Sequence, residues 1–415
     1  MSGPSQDSAG EQGELFHVQS QDAASRARTA TLHLGHGSVR TPAFMPVGTN
    51  ATVKAISNSA LEGLGIELIL SNTYHLFLRP GLEVLSHMGG LHAFMGWSRN
   101  ILTDSGGYQV FSLAPFRKIE EQGVTFRSHL DGTRHHLSPE EVVEIQGVLG
   151  SDILMPLDVC TPHGIGEPEA RAAMELTCRW AERSKARWLT LREGSKGDRD
   201  RAAGWRPPGE LFGIIQGNFY SDLRKESAAR TIALELRGYA IGGLSVGEPF
   251  PVFREQLAAT AELIPDRFPR YLMGIGTPEY ILEAVEQGID LFDCVFPTRT
   301  ARNAQGFTRE GPLSLKTEAN RLDSRPIDPA CACETCRRHS RAYLRHLFKT
   351  REILAAMLVT HHNLHFIQRL VEAVRQAIEA QAFLAFKRDF LQRYGQSKRA
   401  GAADTLYDAG GNAEL

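Results

Sequence analysis

The residues best suited to chemistry lie between positions 290 and 336, which read DLFDCVFPTRTARNAQGFT and, after a loop, CACETC. Cys331, Cys333 and Cys336 fall within six residues of one another. Thiolates that close together have the spacing a tetrahedral metal site needs. Upstream, a lone acid, Asp293, ends an apolar run and is followed by Pro297, Arg299 and Arg302. An acid beside a basic turn, next to a metal-braced segment, points to chemistry on a polyanion. A basic run follows the thiols: Arg337, Arg338, Arg341, Arg345, Lys349 and Arg351, on a chain of net charge −2. A clustered patch binds phosphates even on a near-neutral protein, although a solvated helix face is the plainer alternative. Cys160, Cys178 and Cys294 read as buried apolar residues. Three clustered thiols among six cysteines suggest a reduced compartment and a metal, not a framework of disulfides.

The elements that must position these residues can be read from apolar runs. The chain has 415 residues, 42% apolar and 23% charged, enough for one large globular domain with appendages. No run is long enough to span a membrane, and the first dozen residues hold no signal-peptide core, so a cytoplasmic protein is expected. Candidate strands cover 42–48, 67–72, 100–106, 152–158, 211–217, 239–247, 270–276 and 290–296. Candidate helices between them include 167–192, 222–237, 250–264 and 278–287. Ser138, Pro139 and Glu141 make a helix start. Eight alternations predict an α/β parallel (β/α)8 TIM barrel, with a doubly wound open sheet as competitor. Residues 113–137, with an Asp131-Gly132 turn, read as an inserted hairpin, and 194–209 as a mobile loop. One domain over 14–395 is expected, with flexible termini at 1–13 and 396–415.

In that frame Asn72, Asp104, Asp158, Gln216 and Asp293 each end a strand, and Gly242-Gly243 lies in another such end. Barrel enzymes gather their catalytic groups at that face. One acid there is usually a loop cap; three acids and an amide converging are better explained as a site. A metal-dependent barrel hydrolase would want histidines at strand ends, and these carry none.

Eight stretches carry a specific resemblance: SNTYHLFLRPG (71–81), LTDSGGYQVFSL (102–113), LDVCTP (157–162), GIIQG (213–217), AIGGLSVGE (240–248), MGIGTPE (273–279), FDCVFPTRTARN (292–303) and CACETCRRHSRAYLRHLF (331–348). In this order they resemble the tRNA-guanine transglycosylases, or queuine tRNA-ribosyltransferases. The resemblance implies a barrel with an inserted zinc subdomain, here roughly 305–365. It implies replacement of the wobble guanine in tRNAs with GUN anticodons (those for aspartate, asparagine, histidine and tyrosine) by a 7-deazaguanine, within queuosine biosynthesis. Retention at the sugar carbon suits two successive displacements by a carboxylate.

By that resemblance Asp293 is the nucleophile and Asp104 the acid/base. Asp158, Gln216, the Gly243 N–H and the Leu244 carbonyl would read the base. Tyr108 and Met273 would sandwich it, and Cys160 would line its pocket. Arg299 and Arg302 would hold the flanking nucleotides. Of the histidines after the thiols, His339, His346, His361, His362 and His365, the resemblance selects His362 as fourth ligand of one structural Zn2+ per subunit. A catalytic zinc is the alternative. Val246 in LSVGE and Cys160 follow the bacterial type, which implies 7-aminomethyl-7-deazaguanine as the incoming base. The alternatives are a queuine-inserting variant and a non-catalytic tRNA-binding subunit. A homodimer is implied, with Tyr343 and His346 at the contact.

Overall fold

The computed structural model describes residues 15–113, 116–194 and 207–395. The expected flexible termini, and all but the ends of the expected 194–209 loop, lie outside the described residues.

Eight parallel strands close into a barrel. They are β1 (Ala43–Pro46), β2 (Leu68–Asn72), β3 (Asn100–Asp104), β4 (Ile153–Leu154), β5, β6 (Tyr239–Ile241), β7 (Arg270–Leu272) and β8 (Leu291–Cys294). β5 runs as Glu210–Leu211 and, past Phe212, as Gly213–Ile215; its first part pairs with β4 and its second with β6. The seam closes where Leu291–Cys294 pairs in register with Ala43–Pro46, and a single bridge, Val47 to Leu70, joins β1 to β2. The strands are short apolar runs, as strands buried on both faces must be. Met45, Leu68, Leu70, Leu102, Ile153, Phe212, Ile214, Ala240, Tyr271 and Leu291 share one apolar cluster that fills the barrel.

The same cluster includes Phe16, Ala30, Leu32 and Val39. These come from an antiparallel sheet of Phe16–Gln21, Arg28–Leu34 and Gly37–Thr41, which plugs the N-terminal end of the barrel. Sequence reading did not foresee this sheet.

The 113–137 insertion has one strand more than a hairpin. Arg117–Glu120, Gly123–Arg127 and Arg134–Leu137 form a three-stranded antiparallel sheet. The helix after it begins with a full capping box: Glu141 N donates to Ser138 Oγ at 3.2 Å, and Ser138 N to Glu141 Oε2 at 2.7 Å. After β8 come a two-stranded ribbon (Gln305–Thr308, Gly311–Ser314), two short helices (Glu334–Arg338, Arg341–Lys349) and a long helix, Ile353–Glu379. The expected boundary near residue 365 falls inside this helix. Its early turns carry His362, while Val371, Val374 and Ile378 pack into the main core around the barrel. Among the described residues no helix is long and apolar enough to cross a membrane.

Candidate active site and metal cluster

Asp104 ends β3 and Asp293 lies near the end of β8, so both carboxylates belong to the C-terminal rim. Asp104 is buried under a ring of donors. The Asn72 amide and Gln109 Nε2 (2.9 Å) donate to Oδ2, and Thr73 N (3.1 Å) and Gly106 N (3.2 Å) to Oδ1. Burial nonetheless wins, pushing the Asp104 carboxyl up to about 7, and the nearby Asp293 charge adds to the rise. Asp293 is also raised by burial. Tyr271 Oη (2.6 Å) and Gly274 N (2.7 Å) oppose that rise by donating to its Oδ1. Two carboxyls in one pocket, one near neutrality, suit a division into acid/base and nucleophile.

Asp158 and Gln216 face each other beside this pair. Gln216 Nε2 donates to Asp158 Oδ2 at 2.8 Å and Ser105 Oγ to Oδ1 at 3.2 Å. Burial holds the Asp158 carboxyl above its usual range. Gly107 opens the approach: a Cβ there would lie 2.8 Å from the Asp158 carbonyl oxygen. Gly243 has φ +67, and a Cβ on it would sit 2.5 Å from Gln216 Oε1, so the loop after β6 can lie against Gln216 only as glycine. Leu244 is buried, Met273 is half-buried, and Tyr108 is 51% exposed. Cys160 lines a small cavity with Gly107, Leu157 and Asp158. Cys178 is fully buried, whereas Cys160 and Cys294 keep some exposed surface.

Arg299 and Arg302 lie on the helix Phe296–Arg302 that follows β8. Arg299 is exposed and Arg302 half-buried, with its Nη1 buried and without a partner. Lys54 joins them: burial first, then the Arg302 and Arg299 charges, hold its ammonium below the usual range. Three cations crowded at the mouth call for an anionic partner.

Cys331, Cys333, Cys336 and His362 converge on one point. Their sulfurs lie 3.6, 3.5 and 3.3 Å from His362 Nδ1. Those spacings match the edge of a tetrahedral site with metal–sulfur bonds of about 2.3 Å and metal–nitrogen bonds of about 2.0 Å, roughly 3.5 Å. The donor set therefore fits a metal ion. His362 Nε2 lies 2.6 Å from the Phe307 carbonyl oxygen, which fixes the ring with Nδ1 toward the thiols. His365 Nδ1 also comes within 3.5 Å of Cys331 Sγ, but the four-residue group closes without it. His339 stacks on Tyr343 instead.

A family model described as queuine tRNA-ribosyltransferase matches residues 22–396. The chain belongs to the queuine tRNA-ribosyltransferase family. A relative bearing that name in Treponema denticola is 51% identical over 384 residues, covering 92% of this chain and 98% of the relative. Another in Acidithiobacillus ferrooxidans is 52% identical over 388 residues, covering 94% and 98%. A third, in Caldanaerobacter subterraneus, is 50% identical over 379 residues, covering 91% and 97%. The barrel with its Cys3His cluster is the architecture of this family.

Several supports of the family's pocket escaped sequence reading. Tyr271 looks like one more apolar residue of β7, yet its hydroxyl reaches Asp293. Arg224, fully buried, donates to the carbonyls of Gly242 (3.1 Å) and Gly243 (3.4 Å). Glu248 accepts from Ser245 N (2.5 Å) and Val246 N (2.8 Å). The GGLSV turn is thus held by a cation on its carbonyls and an anion on its amides. Asn363, next to His362 of the cluster, accepts from Phe307 N and donates to the Pro297 and Gln305 carbonyls.

Proposed function

We propose that this enzyme replaces the wobble guanine of GUN-anticodon tRNAs with 7-aminomethyl-7-deazaguanine, as a step of queuosine biosynthesis. Asp293 attacks the ribose C1′ and forms a glycosyl ester, while the C1′–N9 electron pair leaves with guanine. Asp104 supplies a proton to the departing base. It then takes the N9 proton of the incoming base, which attacks C1′ and displaces the Asp293 carboxylate. Two inversions leave the sugar configuration as it began. The observation that carries this reading is the meeting of Asp104 and Asp293 beside the Asp158–Gln216 pair, in a chain of this family.

Asp158, with Gln216, would read the exocyclic amine and carbonyl edge of the purine. The Gly243 N–H would take the carbonyl oxygen, and the Leu244 carbonyl the aminomethyl group. Tyr108 and Met273 would cover the ring faces. Arg299 and Arg302, with Lys54, would hold the anticodon backbone after the base is turned out. The metal in the Cys3His cluster would be one Zn2+ per chain. Four protein ligands leave it no open position, so its chemistry is structural.

A homodimer fits the exposed apolar surface beside the cluster. Tyr343, Ile353, Leu354 and Met357 are 39%, 79%, 42% and 42% exposed. A cytoplasmic location follows from a tRNA substrate.

The test is incorporation of labelled guanine into unmodified GUN-anticodon tRNA by the wild type and by Asp293→Asn. Label with the wild type alone supports the reading. Equal label from both removes Asp293 as nucleophile. No label from a zinc-loaded wild type turns the reading to a tRNA-binding subunit. Competition between 7-aminomethyl-7-deazaguanine and queuine then decides the base.

A further inference from the structure

A second group of ligating side chains sits at the opposite end of the barrel. His36, His92 and Asp152 present ligand atoms that all lie within 4.8 Å of one another. They come from three separate elements. His36 is in the turn between Arg28–Leu34 and Gly37–Thr41, His92 is on the short helix Leu91–Met95, and Asp152 immediately precedes β4. We infer that these three residues form a second divalent-metal site, which clips the N-terminal sheet to the floor of the barrel.

The geometry supports this in three ways. First, both rings aim a nitrogen at one carboxylate: His36 Nδ1 lies 2.6 Å from Asp152 Oδ1, and His92 Nε2 lies 3.3 Å from Asp152 Oδ2. Second, the two imidazoles stack with centroids 3.7 Å apart and planes 17° apart. The stack brings both rings to the one carboxylate, and ligation turns them out of it so that each in-plane lone pair faces the ion. Third, the surroundings hold the three groups in place. Ile101 N donates to Asp152 Oδ2 at 2.8 Å. Asn100 accepts from His36 N and donates to the Gly37 carbonyl. A Cβ on Gly35 would come within 2.9 Å of Asp152 Oδ1, so glycine lets the turn approach the carboxylate.

Two imidazoles and a carboxylate suit a borderline ion such as zinc, nickel or cobalt more than calcium or magnesium. The ion takes the place of the proton between His36 Nδ1 and Asp152 Oδ1, and that proton leaves to solvent. The Arg99 carbonyl, 3.0 Å from His92 Nε2, is a further oxygen at hand. The His36 and His92 side chains keep 22% and 14% of their surface open, which gives the ion a way in, whereas the Asp152 side chain keeps 3%. β3 starts at Asn100 beside this group and ends at Asp104 in the catalytic pocket. At about 3.3 Å per residue the two ends are more than 10 Å apart. An ion here therefore acts on the sheet and not on the reaction. Residues at this face of a barrel generally serve stability.

The test uses full-length protein whose Cys3His cluster is filled with zinc. It is equilibrated with excess Zn2+, freed of unbound ion, and its metal content measured, for the wild type, His36→Gln and His92→Gln. Wild type should hold two zinc per chain and each variant one. Retention of that first equivalent reports an intact fold. Added Zn2+ should raise the wild-type Tm and leave the Tm of the variants unmoved, with labelled-guanine exchange unchanged in all three. A wild type that saturates at one zinc overturns the proposal and leaves a hydrogen-bonded triad. So does a pair of variants that still bind two.

Discussion

The Tyr271 hydroxyl donates to Asp293 Oδ1 at 2.6 Å, across from β7 to β8. The Gly274 N–H donates to the same oxygen at 2.7 Å, which would leave Oδ2 for the proposed attack on the sugar. Tyr271→Phe removes a hydrogen bond to the charged form, so the Asp293 carboxyl should rise. The acid limb of the exchange reaction should then move to higher pH. Turnover should fall by about 10–100-fold, the equivalent of one charge-assisted hydrogen bond of about 1.5–3 kcal/mol. Rate against pH, with tRNA affinity measured alongside, checks this. An unmoved limb would remove Tyr271 from the positioning of Asp293.

The contribution of Asp104 to stability should fall as pH rises through the acidic range. The native Asp104 carboxyl is held up to about 7 by burial, against 3.8 for an ordinary one. Between those values the folded chain binds the proton and the unfolded chain has released it, so each step up in pH favours unfolding. Below that window the effect is absent and above it the loss is complete, on the order of 4 kcal/mol for this residue. Asp158 and Asp293, also raised by burial, act in the same direction. Urea melts from pH 4 to 8 on the wild type and Asp104→Asn should show the smaller slope in the variant. Parallel slopes would contradict the burial argument.

Asn363→Ala should separate metal binding from activity. The side chain ties the helix of His362, a member of the Cys3His cluster, to the Pro297 carbonyl, in the helix that carries Arg299 and Arg302. Its loss strands Phe307 N and the Gln305 carbonyl, at a cost of about 1–3 kcal/mol per buried group, while the Pro297 carbonyl keeps Thr300 Oγ1. The variant should keep its metal, while tRNA binding weakens and the dependence on salt becomes shallower. Chelation of the metal should produce the same weakening together with faster hydrogen exchange over 305–365. Full tRNA affinity in a metal-free protein would disprove the coupling.

Val246→Gly should improve the use of queuine relative to 7-aminomethyl-7-deazaguanine. Val246 is half-buried in the turn held by Glu248, next to the loop that would face the aminomethyl group. Removing its side chain widens that wall. The ratio of kcat/KM for the two bases is the measurement, and an unchanged ratio would mean another residue sets the choice.

The strand ends were legible because a polar residue closing a buried apolar run stands out. Asp104, Gln216 and Asp293 announce themselves in this way; Asp158, expected to end a strand, closes the apolar run but lies four residues beyond Leu154, the last residue of β4. Supports inside regular elements do not. Tyr271 within RYL looks like core, and Arg224 within SDLRKESAARTI looks like the wet face of a helix. Only the folded chain shows that each spends its polar end on the pocket. The N-terminal sheet did leave a trace: FHVQSQ alternates, with burial following the same period of two. The short helices offered less, since Leu91–Met95 has only five residues and its His92 finds Asp152 only through the barrel.

The first barrel strand is made early and its partner late. β1 pairs with β8, some 250 residues downstream. The helix Ile353–Glu379, whose Arg375 donates to the Pro42 carbonyl at 2.7 Å, arrives later still. Gln381 then fastens the N-terminal sheet, accepting from Ala23 N and donating to the Gln21 carbonyl. On the ribosome, therefore, the nascent chain carries an unclosed sheet edge through most of its synthesis. Proteolysis of chains halted at residues 352 and 395 should find the first cut readily before Pro42 and the second resistant there. A stretch translated late is what locks the first barrel strand.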